Sequence, residues 1–232
     1  MSRVVRTSTS PDYTASLAAG LSSILRGGDT IRMEGELGAG KTTFIRGLAR
    51  SLGVPEGSIS SPTFVLAHVY PVTGHPTLKR LVHVDAYRLR SAEDLEALGW
   101  DQWTLPGGRA AADVALVVEW PERIGDGLGK RSECFEVQLR HVAEQSRGIE
   151  VVWPPDVDAR PGARELVERE PIRCPITGVW VEPTRSTYPF AGEKERLADL
   201  NRWFTGGYRI GRPATQADFE REPSPGGETD NN

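Results

Sequence analysis

The chain has 232 residues, 28 of them basic and 32 acidic, for a formal net charge of −4. That length suits one full-sized domain plus a smaller module, and a hydrophobic share of 38% is enough to build a core. The charge balance excludes a globally basic nucleic-acid binder, though a local basic patch is still compatible with it.

Cys134 and Cys174 are the only cysteines, and they form no CxxC pair. No apolar run approaches the roughly 18 residues of a membrane span, and the start "MSRVVRTSTSPDY" has no signal-peptide core. These features predict a reduced, cytoplasmic protein with no membrane contact.

In chain order, the first predicted element is a helix over "SPDYTASLAAGLSSILRGG". Ser10 suits its N-cap and Pro11 its first turn. Leu17, Leu21, Ile24 and Leu25 share one face, and Gly27–Gly28 end it. A short strand follows at Thr30–Glu34, then "GELGAGKTT", then helical spacing at Phe44, Ile45, Leu48 and Leu52. Strands are predicted at Phe64–Tyr70, Leu81–Asp85 and Asp113–Trp120, the last an apolar, β-branched run suited to a buried position. Between the last two, "SAEDLEALG" reads as a short helix with Ser91 and Asp94 in a capping box. "CFEVQLRHV" and "GIEVVW" are the final strands of a first domain spanning 1–154. Residues 155–172 are Pro-rich and charged, which predicts a linker. A compact module is expected at 173–212, then a polar, Pro/Gly-rich tail at 213–232 with the composition of a disordered segment.

The chemistry centres on Gly35–Thr43. Gly35, Gly40, Lys41 and Thr42 fit G-x-x-x-x-G-K-[ST], with a strand before and a helix after; composition predicts only about 0.006 accidental matches. Glycines let backbone amides curl around phosphate oxygens, and the helix N-terminus adds positive potential. Glu36, Leu37, Gly38, Ala39, Gly40, Lys41, Thr42 and Thr43 are therefore the candidate nucleotide contacts. Lys41 would reach the β/γ-phosphates, and Thr42 would bind Mg²⁺.

Mg²⁺ also needs a carboxylate, commonly at the end of a neighbouring apolar strand. Asp85 and Glu119 both qualify. Glu119 is favoured as the metal acid because its strand is the more apolar, and Asp85 is then assigned to orienting water. His83, two residues before Asp85, reads equally as a hydrogen-bond partner near the site or as a satisfied core histidine. The four histidines are scattered and form no zinc pattern. These residues predict an α/β fold of P-loop NTPase type, with a mixed, mainly parallel sheet flanked by helices.

"GELGAGKTTF", "SSPTF", "HVDAYRL" and "EWPER" occur in the order and approximate spacing of the TsaE family, so the chain from about Ser8 to Trp153 resembles that family. The resemblance implies a slow, partner-stimulated ATPase required for threonylcarbamoyladenosine (t6A) formation in tRNA. Such a protein acts on the TsaB–TsaD transferase complex without performing the transfer, and meets tRNA only through that complex. The resemblance further implies that Asp85 and Glu119 are the two essential acids and that Trp120 lies beside the nucleotide. It places Thr14 near the base and makes Ser60–Phe64 a switch segment, with Thr63 contacting the γ-phosphate.

The stretch 173–212 resembles YacG, a small zinc protein described as a DNA gyrase inhibitor, chiefly in "YPFAGEKERLADLNRWFTGGYRI". That family uses four cysteine ligands, and the matching positions here are Cys174, Thr177, Ala191 and Glu195. Three thiolates are missing, which predicts no zinc and a zinc-less ribbon-like module. Without metal, a short helix carrying Leu197, Leu200, Trp203 and Phe204 would have to pack on a hairpin, or the module on the first domain. A gyrase contact is the partner this second resemblance implies. The other alternative for the chain is a small-molecule or nucleoside kinase, for which "GGRAAADV" is too short to be a convincing lid.

Overall fold

The computed structural model describes residues 2–60, 62, 66–89 and 92–204. The chain starts with β1 (Ser2–Ser8), α1 (Pro11–Ser22), β2 (Thr30–Gly35) and α2 (Lys41–Ser51). Next come β3 (Ala67–Pro71), β4 (Arg80–Asp85), α3 (Ala92–Ala97) and a two-residue ribbon, β5 (Thr104–Leu105) with β6 (Arg109–Ala110). Then follow β7 (Val114–Glu119), β8 (Phe135–Ala143), β9 (Ser146–Trp153), α4 (Ala163–Glu168), β10 (Ile172–Arg173), β11 (Trp180–Val181) and α5 (Glu193–Phe204).

Seven strands form one mixed sheet in the order β1-β9-β8-β2-β7-β4-β3. Its four central strands, β8, β2, β7 and β4, are parallel, and antiparallel strands extend both edges. This is the α/β architecture expected from the sequence. Alternation along β7 explains why its residues are apolar throughout. Ala115 and Val117 face one core, and Val114, Leu116 and Val118 the other. The first core lies under α1 and α2, where Phe44, Ile45 and Leu48 are fully buried. Burying each such side chain contributes about 1.5–3 kcal/mol. The second core gathers Leu95, Trp100, Trp103 and Leu128.

The start of α1 follows its sequence signals. The Ser10 side chain accepts from the Tyr13 N–H at 3.1 Å, and Pro11 opens the helix. Helices α1 and α2 meet closely at Gly47, where a Cβ would lie 2.5 Å from the Ala15 Cα. Glycine therefore sets the depth at which α2, and the loop before it, sits on the sheet.

Two differences from the sequence expectations stand out. β1 was not predicted, because only Val4 and Ser8 of its seven residues are buried, giving almost no apolar alternation. Pairing with β9 holds this edge strand in place. The expected linker 155–172 is instead folded against the sheet domain. Val157, Ala163 and Leu166 join the first core, and Arg160 forms a two-pronged ion pair with Asp29, with Nη2–Oδ1 at 3.0 Å. Proline and charge made this stretch look like a spacer, but Val157, Ala163 and Leu166 point inward, while Val167 and Ile172 stay exposed. Both side chains of that pair are about nine-tenths buried. Arg160→Ala leaves the largely buried Asp29 carboxylate without a counter-ion, with the Arg26 N–H as its remaining partner among the described residues. We expect a loss of about 3–5 kcal/mol of stability, read from the denaturant midpoint; a spacer would show none.

The C-terminal stretch docks on α1. The Trp180 ring meets Tyr13 edge-on at 5.2 Å, and Pro183 packs beside Gly20. Arg6 donates to the carbonyls of Val167 and Arg169. Around Cys174, a turn closes through Gly178 N–H to the Cys174 carbonyl and Cys174 N–H to the Val179 carbonyl, both 2.8 Å. Burial pushes the Cys174 thiol up, but hydrogen bonds from Thr177, Ala191 and Ile176 outweigh it and hold the thiol at about 7. Hydrogen bonds thus converge on the Cys174 sulfur. Helix α5 forms, but its apolar face does not pack on the ribbon. Leu197, Leu200, Trp203 and Phe204 are all exposed. A ribbon of two residues per strand is too small to cover them. Tyr208 and the tail 213–232 lie outside the described residues.

Candidate nucleotide site

The Gly-rich loop connects β2 to α2 at the C-terminal end of the parallel strands. Gly35 must be glycine for two reasons. Its φ is +151°, and a Cβ there would lie 2.5 Å from the Leu139 carbonyl oxygen. Gly40 adopts a left-handed conformation, φ +101°, and caps α2 without any side-chain hydrogen bond. The first amides of α2 therefore have neither a preceding helical turn nor a side-chain cap to bond, and they face the loop.

Lys41 is 5% exposed and folds back over this loop. Its Nζ donates to the carbonyls of Gly35 at 2.7 Å and Glu36 at 3.1 Å, and stands 4.1 Å from the centre of the Trp120 ring. Burial pushes the ammonium pKa down, against the opposing pull of the Glu119, Asp85 and Glu122 carboxylates.

Asp85 and Glu119 end β4 and β7, which run parallel and pair these two residues directly. The acids thus stand side by side next to the loop, and both are buried. Asp85 Oδ1 accepts from the Tyr87 N–H at 3.0 Å, fixing the turn that follows β4. Glu119 Oε1 lies 2.9 Å from His83 Nε2. An ionised carboxylate only accepts, so His83 donates from Nε2. Its Nδ1 then has no hydrogen-bond partner among the described residues. His83 is therefore both things the sequence allowed, a core histidine and a contact of the site, and it is satisfied on one nitrogen only.

Trp120 follows Glu119 in a left-handed conformation, φ +57° and ψ +50°. A bulky residue there costs about 1–3 kcal/mol of backbone strain. The conformation turns its ring over Lys41 and to within 5.1 Å of the Tyr87 ring. A cavity of about 320 Å³ results, lined by Leu37, Gly38, Gly40, Lys41, Thr42, Thr43, Asp85, Tyr87, Glu119 and Trp120. Tyr87 belongs to the quoted HVDAYRL motif, but the sequence reading gave it no role. Its contact with Trp120 depends on the turn after β4, which no spacing rule reveals.

The remaining candidates fall elsewhere. Glu36 contributes its carbonyl to Lys41, and Ala39 is wholly buried beneath the loop. Thr14 does not line the cavity. It is buried on α1, with its hydroxyl 2.7 Å from Ser8 Oγ. Thr63 lies outside the described residues. Ser60, just before it, is fastened to β3, where Tyr70 donates to its carbonyl at 3.2 Å and also bonds His68 Nδ1 at 2.9 Å.

The family described as "Threonylcarbamoyl adenosine biosynthesis protein TsaE" matches residues 8–149, well over half of the chain. The chain belongs to the TsaE family. Its relatives include the TsaE of Streptomyces coelicolor, 45% identical over 121 residues, covering 52% of this chain and 71% of that protein. The Treponema pallidum TsaE is 36% identical over 144 residues, covering 62% and 96%. Among solved structures, Bacillus subtilis YdiB superposes with a TM-score of 0.50 over 71% of this chain and 94% of its own, at 23% identity. At that identity the likeness speaks for the fold alone. The TsaE match ends before the C-terminal stretch and adds no support to its likeness to YacG.

Leu37, Gly38, Gly40, Lys41, Thr42, Thr43, Asp85, Glu119 and Trp120 of the sequence-based candidates line this cavity together. The residues fit a magnesium nucleotide. Uncapped helix amides and a buried lysine face a cavity that also holds a threonine hydroxyl and two carboxylates. Among the described residues, no helix is long and apolar enough to cross a membrane. Nor does any group of three or more His, Cys, Asp or Glu come together there as a metal cluster.

Proposed function

We propose that this TsaE-family protein is a Mg²⁺-dependent ATPase of t6A formation in tRNA, acting on the TsaB–TsaD complex in the cytoplasm. The observation that carries this reading is the placement of Asp85 and Glu119, on adjacent strands, against the loop that holds Lys41. Bound Mg–ATP supplies the bond to be cleaved and a cation to neutralise its charge. The chain's own residues hold it in place. Lys41 and the first amides of α2 would grip phosphate oxygens, and Thr42 and Glu119 would hold the metal. Asp85 orients water, and Trp120 and Tyr87 shield one side of the cavity.

His83 keeps Glu119 in its orientation by bonding Oε1, so the carboxylate would be held ready to take part in binding the metal. The segment Ser60–Phe64, with Thr63 as its phosphate contact, is the switch in this reading. A switch segment is ordered by the γ-phosphate and released after hydrolysis, and a partner can sense that change. The domain division proposed with this reading places the ATPase unit in 1–154, with 155–172 packed against it and the small C-terminal ribbon docked on α1.

The test is ATP turnover by the full chain, measured alone and then with its cognate TsaB–TsaD pair and tRNA. Marked stimulation by the pair is expected. Turnover that ignores the pair, or appearance of a phosphorylated small molecule in its absence, would overturn the reading in favour of a kinase.

A further inference from the structure

A second cavity, on the opposite face of the sheet from α1 and α2, has no place in the nucleotide reading. β2 sends Ile31 and Met33 into the first core, so Arg32 between them points to the other side. It is only 8% exposed. Its Nε has no hydrogen-bond acceptor, and no carboxylate pairs with its guanidinium, among the described residues. The nearest candidate by register is Glu136 on β8, directly across from Arg32. The Glu136 carboxylate is instead held by Arg131 at 2.7 Å, and Arg131 also takes Glu34 at 2.6 Å.

A buried guanidinium without a counter-ion is costly, and native proteins rarely leave one so. Here it borders a cavity of about 800 Å³ whose charged lining is Arg32, Arg109, Lys130, Arg131 and Glu133. Glu133 reaches Arg109 only at 3.9 Å, and Lys130 has no ion pair among the described residues. The Ser132 hydroxyl belongs to the same wall. Gly107 and Gly125 leave bare backbone there, for a Cβ at either would meet nothing within 4 Å.

We propose that this cavity binds a phosphate group, with Arg32 as its buried anchor and Lys130 at its rim. The planar guanidinium fork fits two oxygens of an oxyanion, and a tetrahedral phosphate has further oxygens for the Lys130 ammonium. The same chemistry is offered by a free phosphate compound and by the backbone of an RNA strand. The site lies apart from the Gly-rich loop, so it stands or falls independently of the nucleotide reading.

The test uses the full chain carrying Lys41→Ala, which removes the lysine of the other phosphate site. Inorganic phosphate and a short single-stranded oligoribonucleotide are the two probes, followed by titration calorimetry. Binding of phosphate alone identifies a small ligand, and binding of only the oligoribonucleotide identifies a strand backbone. In either case adding Arg32→Met should weaken binding at least about tenfold, the loss of a charge-assisted contact. Lys130→Ala, an exposed change with no folding risk, should weaken it by a smaller factor. In phosphate-free buffer Arg32→Met should leave Tm unchanged or raise it, because an unpaired buried charge is removed. Failure of both probes to bind, binding indifferent to Lys130→Ala, or a Tm lowered by Arg32→Met would overturn the proposal.

Discussion

Lys41→Ala is expected to weaken ATP binding on the order of 100-fold, with little change in fold. A charge-assisted contact contributes up to about 3 kcal/mol, and 1.4 kcal/mol is a factor of ten. Lys41 lies at the start of α2 with its stem buried and its Nζ resting on the Gly35 and Glu36 carbonyls. Phosphate oxygens would take over those donor positions. Alanine keeps the helix and removes the only ammonium in the cavity lining. The measurement is the dissociation constant for a non-hydrolysable ATP analogue. Titration calorimetry reads it, because removing Lys41 also removes the ammonium that sits against the Trp120 ring and would alter any fluorescence signal there. Undiminished affinity in the variant would remove the nucleotide reading altogether.

Glu119→Gln should act differently, sparing binding and reducing turnover by about 100-fold or more, as expected for loss of a metal-holding or proton-accepting carboxylate. Glutamine is the better probe than alanine. Its carbonyl can still accept from His83 Nε2, whereas alanine would strip that donor of its partner inside the core. The separation of effects is what matters. If binding falls as far as turnover, Glu119 serves to hold the nucleotide and the catalytic assignment passes to Asp85. If neither changes, the pairing of the two strand ends has no role in the chemistry.

Much of this site was legible in the linear sequence. A loop that cradles phosphate needs glycine where the backbone turns left-handed or passes close to another strand, and lysine at a fixed offset. Such local demands write themselves into neighbouring positions. So do the end of an apolar strand and the carboxylate that follows it, which is why Asp85 and Glu119 could be named before their pairing was seen. Other features depend on residues far apart in the chain. The orientation of Glu119 comes from His83, 36 positions earlier, through strands that meet only in the sheet. The Trp120–Tyr87 contact arises from two turns folding toward one another. Thr14, placed near the base by resemblance, is held by Ser8 away from the cavity lining.

The sequence by itself determined most of the elements from α1 to β9, and it marked the candidate loop and the two strand-end acids, because each is encoded by residues within a few positions of one another. Only the tertiary structure decided that Val157, Ala163 and Leu166 of 155–172 pack into the core, and, among the described residues, that the apolar face of α5 stays uncovered and Arg32 is buried without a counter-ion. Those outcomes depend on which distant surfaces come into contact, and composition carries no record of that. A Pro-rich, charged stretch can pack as well as stay free when a few of its apolar residues, here Val157, Ala163 and Leu166, meet the sheet domain. An arginine in a central strand looks like any other until its neighbours' carboxylates turn out to be taken.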